Sequence, residues 1–228
     1  MATITGDTIL TRASKTLLDE TNVYWATAEL LDYLASGITD IVAHKPDAYV
    51  QRKTLTLAAG VTQEIPADGV QFLDAYTNGN GDAVWQIARN LLDHSNQQWR
   101  SQTPSANVTH YMADKRDPKH FMVYPPATTT ATLEILYAAV PARYTDSTAV
   151  IPIDDLYDAP LHNWVVAYAL AKNSSRGDLN KASAYLTLYY NAINARSQVQ
   201  FAFAPLVADE AQGSDARSPT ALSDSQDG

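Results

Sequence analysis

The sequence predicts an α+β fold: helices from the two ends of the chain form a bundle, and a mostly antiparallel β unit is inserted between them. Three observations lead there. Apolar residues recur at helical spacing near the start, the period drops to two across the middle, and helical spacing returns after Ile153. The 228 residues suffice to bury a real core. The expected organisation is an N-terminal helical part over 1–50, a β-rich unit over 51–150, a helical hairpin over 151–205 and an acidic extension over 206–228.

Residues 13–43 carry the clearest helical pattern. Tyr24, Ala28, Leu31, Ala35, Ile38 and Val42 follow one another at steps of four and three, and Leu30, Leu34 and Ile41 widen the stripe. Asp19 and Thr21 read as caps near its start. Pro46 stops it, because the residue before a proline is pushed out of the α region. Gly37 reads as a loosening of the last turns.

The middle has the period of strands. Thr54 to Leu57 alternates, Gly60 offers a turn, and Val61 to Ile65 alternates again. Phe121 to Tyr124 reads as a strand ended by Pro125 and Pro126. Thr132 to Tyr137 places Leu133, Ile135 and Tyr137 on one face. Asn78 to Asp82 is a turn cluster, and residues 83–101 fit either a short helix or irregular strands.

In the last helical block Leu161, Val165, Tyr168 and Lys172 share a face flanked by Trp164 and Leu170. Asp158 and Pro160 mark its entry. Arg176-Gly177-Asp178 breaks the chain, with Gly177 as a C-cap and Asp178 as the next N-cap. Ala182, Leu186, Tyr189, Ile193 and Arg196 then line a second helix. From residue 206 onward five acidic side chains stand against the single Arg217, so this stretch carries −4 of the chain's net −9. Alone it lacks the apolar residues to form a core.

Composition excludes several function classes. With no cysteine there is no disulfide framework, thiolate nucleophile or Cys-ligated metal. The N-terminus has no basic start with an apolar run, and the longest strongly apolar stretch, Trp164 to Ala171, is too short to span a bilayer, so a soluble protein is expected. Sixteen basic against 25 acidic residues argue against tight or sequence-specific binding of nucleic acid, which depends on phosphate neutralisation. A low charged fraction of 18% with 13 Tyr and 4 Trp fits a surface partly covered by partners, and equally an aromatic-rich core.

A search for chemistry finds little. His44, His94, His110, His120 and His162 form no metal-binding spacing, and no nucleophile elbow, Walker loop or dinucleotide fingerprint is present, so no cofactor is expected. Asn78 to Asp82 fails as a calcium loop, because Ala83 stands where glycine is needed and Arg89 where a carboxylate must close the site. Asp154, Asp155 and Asp158 are the densest acidic spot. They fit acid–base or metal chemistry, but their place before a helix favours capping.

Several short motifs resemble those of a tailed-phage virion family. They are Trp25-x-x-x-Glu29-Leu30-Leu31-x-Tyr33-Leu34 with Asp40-Ile41-Val42 and Lys45-Pro46-Asp47-Ala48; Ile65-Pro66 with Leu73-Asp74; Asp117-Pro118 leading to Phe121-x-Val123-Tyr124-Pro125-Pro126; and Tyr137-Ala138-x-x-Pro141 before the 154–171 helix. The chain thereby resembles head-to-tail adaptors of short-tailed phages, including the tail tubular A type, over residues 15–200. The resemblance implies a non-enzymatic virion protein of the neck, made in the host cytoplasm. It implies a ring of about twelve copies beneath the portal, a nozzle or tail tube on the other side, and genomic DNA passing through without specific binding. A C-terminal extension that docks on the portal is also implied. Leu206, Val207, Asp209 and Glu210 at the start of the acidic segment are the partner-binding candidates, with Trp25 and Tyr33 on the first helix. The rival readings are another neck component (a stopper, tail terminator or tail tube protein) and a hydrolase using Asp154, Asp155 and Asp158.

Overall fold

The computed structural model describes residues 2–172 and 174–203, with side chains up to residue 195. The chain divides into two compact units, Met1–Ile193 and Asn194–Gly228, and the account below concerns the first. Its fold is α+β, as the patterning predicts. The helices are α1 (Gly6–Thr16), α2 (Thr27–His44), α3 (Arg89–Ser95), α4 (Asp158–Ala171) and α5 (Leu179–Phe203). The strands are β1 (Val50–Thr56), β2 (Gly60–Glu64), β3 (Gly69–Asn78), β4 (Trp85–Gln86), β5 (His110–Asp114), β6 (Asp117–Ala127) and β7 (Thr132–Ala139).

The long helix expected over 13–43 is two helices. The polar run Asp19-Glu20-Thr21-Asn22 breaks it, with Leu18 and Asn22 at φ +56° and +54°, outside the helical range. The break re-aims the apolar stripe. Leu30, Leu34, Ile38 and Ile41 become the buried face of α2, whereas Tyr24 and Ala28 are exposed.

Gly37 does not loosen α2; it makes room. A methyl group there would lie 2.7 Å from Cδ1 of Trp164 on α4, so the absent side chain lets the indole lie against the helix backbone. Trp164 anchors itself by donating its indole N–H to Ser36 Oγ at 3.1 Å. Helix α4 is apolar nearly all round, with Leu161, Trp164, Val165, Val166, Ala167 and Ala169 buried, as expected of a helix enclosed by others. Helices α1, α2, α4 and α5 share one apolar core through Ile9, Leu30, Ile38, Val165 and Tyr189. Asp178 caps α5 by accepting the N–H groups of Asn180 and Lys181. Gly177 is not the C-cap of α4, which ends six residues earlier. It is glycine because a Cβ would sit 2.3 Å from the Lys172 carbonyl.

The strands form two sheets, ordered β1-β7-β3 and β2-β6-β5-β4, mostly antiparallel with β4 parallel to β5. The alternating runs on either side of Gly60 are therefore not partners: β1 pairs with β7, and β2 with β6. Gly60 is needed at the crossing because its φ is +109°. The sheets meet where Phe72 of β3 stacks on Phe121 of β6 (4.3 Å between ring centres) and meets the edge of Tyr111 of β5 (5.4 Å). Leu133, Ile135 and Tyr137 of β7 point into this core, as their alternation predicts.

Strand β6 runs through Pro125 and Pro126 instead of stopping before them. Gly60 pairs with Ala127 and Thr62 with Met122, so the bulge in β2 spans the prolines and asks no N–H of them. Strands β3 and β5 carry no alternating pattern that predicts them, and the stretch 83–101 contains β4, α3 and a 3-10 turn at Trp99–Ser101.

Replacing Gly37 by Ala sets two effects against each other. Alanine favours an exposed helix by about 1 kcal/mol, whereas overpacking a filled core costs about 1–3 kcal/mol. With Trp164 pinned, the clash dominates, and Gly37→Ala is expected to lower stability by about 1–2 kcal/mol in urea denaturation. A gain in stability would show that the indole moves aside freely.

Candidate interaction surface

The loop between α1 and α2 is held by one carboxylate. Asp19 accepts the backbone N–H groups of Val23 (3.0 Å), Tyr24 (2.8 Å) and Trp25 (3.0 Å). Burial by itself would raise its pKa, but the donors of Trp25, Tyr24 and Val23, with the nearby Arg176 cation, outweigh it and hold the carboxyl below its usual range. Asp19 is thus a cap, as expected, but of the loop and not of a helix end. Arg176, from the turn after α4, completes the clamp: it donates to the Leu18 carbonyl at 3.2 Å and lies 3.8 Å over the Tyr24 ring.

This clamp holds large apolar side chains out in water. Leu18 is 83% exposed and Val23 75%. Leu179, which opens α5 just beyond Arg176, is 73% exposed. A leucine in the left-handed region costs about 1–2 kcal/mol. A rigid loop that spends this strain on displaying apolar groups has the character of a docking element. The long helical pattern hid the loop from sequence reasoning, although its four consecutive polar residues were the signal.

A second feature is a chain of aromatic rings over α2, α4 and α5. Tyr33 lies 5.9 Å from Tyr168, which lies 4.4 Å from Trp164; Trp164 is 4.8 Å from Tyr189, and Tyr189 is 5.0 Å from Tyr190. Tyr168 and Tyr190 each leave part of the ring exposed. Of the residues expected to bind partners, Tyr33 is half-buried in this chain. Its hydroxyl donates to Glu29 Oε1, whose other oxygen accepts Lys172 Nζ at 2.7 Å. Burial and the Glu29 carboxylate push the Tyr33 hydroxyl up to about 12.

Trp25, also named for partners, is a core residue. It is 2% exposed and donates its indole N–H to the Ala169 carbonyl at 2.9 Å, closing the last turn of α4. In this arrangement it offers no surface to another protein. Leu206, Val207, Asp209 and Glu210 lie outside the described residues.

The acidic trio is engaged in the fold. Asp154 accepts the Leu156 N–H as a cap. Asp155 accepts the N–H groups of Thr3 and Ile4 and the Thr3 hydroxyl, and these bonds, the Thr3 hydroxyl's first, hold its carboxyl below the usual range. Asp158 takes a forked ion pair from Arg12 at 2.5 and 2.8 Å. The crevice beside them, lined by Ile4, Ile153 and Leu161, leaves no space for a water molecule. A depression of about 120 Å³ between α1 and α2 is well below the size of a substrate pocket. Asn78 closes a turn, its Oδ1 accepting the N–H groups of Asn80 and Asp82. Among the described residues, no group of three or more His, Cys, Asp or Glu side chains is placed to hold a metal ion, and no helix is long and apolar enough to cross a membrane.

Two predictions follow from the clamp. Because the native pKa of Asp19 is depressed, its contribution is fully present above pH of about 4 and is lost as pH falls through the native value. The stability gap between the parent chain and Asp19→Asn is therefore expected to close on acidification; an unchanged gap from pH 6 to pH 2 would refute the clamp. At Leu18, glycine removes the left-handed penalty but adds entropy to the unfolded chain, leaving a net gain of about 0.5–1 kcal/mol by thermal denaturation.

The model of the SU10 adaptor protein family matches residues 4–219, nearly the whole chain. No curated protein gives a match. The chain belongs to the SU10 adaptor protein family, a family of phage head-to-tail adaptors, and is a phage structural adaptor.

Proposed function

We propose that this chain is a non-enzymatic subunit of the phage neck, forming a ring of about twelve copies that joins the portal to the tail and surrounds the DNA channel. The family match over residues 4–219 carries this reading. The geometry supports it. Exposed Leu18 and Val23 on the clamped loop, exposed Leu179 at the start of α5, and the partly exposed rings of Tyr168 and Tyr190 are surfaces that gain by being covered. A net charge of −9 suits a passage for DNA, since a net-negative surface does not hold phosphates and stall the genome. The acidic segment from Leu206 is the proposed portal-docking extension, with a nozzle or tail tube protein on the opposite side.

The three carboxylates that would serve a hydrolase are occupied: Asp154 as a cap, Asp155 by the Thr3 and Ile4 donors and Asp158 by the Arg12 ion pair. A structural role is therefore the better reading of Asp154, Asp155 and Asp158.

Purified chain is expected to be monomeric alone and to add a ring when mixed with the portal, visible by electron microscopy. The double variant Leu18→Ser with Val23→Ser is expected to fold but to weaken that assembly at least about tenfold, since both side chains are exposed in the free chain. Absence of an added ring with the parent chain would sink the reading.

A further inference from the structure

The two sheets have four edge strands, and three of them are blunted in ways that prevent further pairing. Strand β2 is bulged between Gly60 and Thr62, β3 shifts register three times against β7, and β4 has two residues. Strand β1 has none of these devices. Its seven residues run against β7 without a shift, from Val50 opposite Ala138 to Thr56 opposite Thr132.

The register also says which amides are open. The Ala139 N–H donates to the Tyr49 carbonyl and the Leu57 N–H to the Ala131 carbonyl, so odd-numbered residues of β1 bond inward to β7. In an antiparallel ladder the alternate residues then point their N–H and C=O groups away. Arg52, Thr54 and Thr56 present both groups outward, and no described strand pairs with them.

Charge selects what fits there. Arg52 lies across the sheet face, with its Nε 3.2 Å from Glu134 and its guanidinium over Tyr76, and does not cover the edge. Lys53 is exposed and forms no ion pair among the described residues. It shares a face with half-buried Leu55, which borders the β core. The β1 of a second copy carries Arg52 and Lys53 and no acidic residue, so pairing with it would add positive charge to the edge and leave Lys53 without a carboxylate. A strand with a carboxylate opposite Lys53 and an apolar residue opposite Leu55 meets the edge without conflict.

We infer that the open edge of β1 is a binding site for an extended acidic–apolar segment of another protein, which joins the three-stranded sheet as a fourth strand. Main-chain hydrogen bonds to Arg52, Thr54 and Thr56 hold it, and Lys53 and Leu55 select its side chains. The inference rests on the reading of the chain as a docking protein, but its test involves neither the portal nor a ring, so the two fail separately.

The test uses the full chain and a nine-residue peptide of threonine alternating with valine and glutamate, with a control carrying lysine for glutamate. Amide hydrogen exchange is followed by NMR. The acidic peptide is expected to slow exchange at Arg52, Thr54 and Thr56 by roughly tenfold and to leave Gln51, Lys53 and Leu55 unchanged, since these already bond to β7. The basic peptide is expected to do nothing. Thr54→Pro removes an outward N–H without touching the ladder and is expected to abolish the effect. Lys53→Glu is expected to reverse the preference between peptides, whether or not the proline variant folds. Slow exchange at these three amides in the chain alone, equal protection by both peptides, or protection that grows with the chain's own concentration (a second copy as occupant) would each overturn the proposal.

Discussion

Gly37 and Trp164 meet at a distance that leaves no room for a methyl group, and most of the helical core is arranged around that contact. The indole covers the backbone of α2, bonds to Ser36, and offers its faces to Tyr168 and Tyr189. Helix α5 reaches this core through the buried Tyr189 and Ile193, and the Tyr189 hydroxyl donates to Asp40 of α2 at 2.5 Å. Trp25 plays the reciprocal part at the end of α4, where it takes up the Ala169 carbonyl. Two tryptophans thus fix α4 between the loop before α2 and the body of α2 itself. Both indole N–H groups find acceptors, so burying them incurs no penalty for an unpaired donor.

The acidic side chains of this core act as acceptors for the main chain more than as a field. Asp19 gathers three loop amides, Asp155 ties the first residues of the chain to the start of α4, and Asp178 caps α5. A carboxylate satisfying several N–H groups is a stronger organiser of irregular backbone than a neutral side chain. The places where the fold departs from regular helix and strand are therefore the places where its aspartates cluster. This also explains why the densest acidic spot in the sequence resembles a catalytic site without the space of one.

Where one side of an element is wet and the other dry, the pattern was legible. The alternation of Leu133, Ile135 and Tyr137 and the spacing of Ala182, Tyr189 and Ile193 both survive in the fold. The cap at Asp178 was legible because it needs only local geometry. The α1–α2 break was not, because Tyr24 and Ala28 continue the helical spacing across a loop whose shape depends on Asp19 and Arg176, the latter 158 residues from its acceptor at Leu18. Gly37 was misread for the same reason: its partner is far along the chain. Strand β3 escaped because its exposure follows the shifting register with β7 and not a strict period of two. The polar run 19–22 marks the loop, but the display of Leu18 and Val23 on it and the open edge of β1 have no signature in the sequence, since exposure and pairing are properties of the assembled chain.

The β region leaves and rejoins the helical core at a single point. Tyr49, just before β1, accepts the N–H of Ala139, the last residue of β7, so the departing and returning segments are zipped together at the root. Whatever lies between those two positions can lengthen, shorten or be exchanged without moving the helices apart, because the gap to be bridged stays one ladder rung wide. The arrangement makes the middle of the chain a graft held at one rung: the helical part owes its shape to its own core and not to the length of what is inserted.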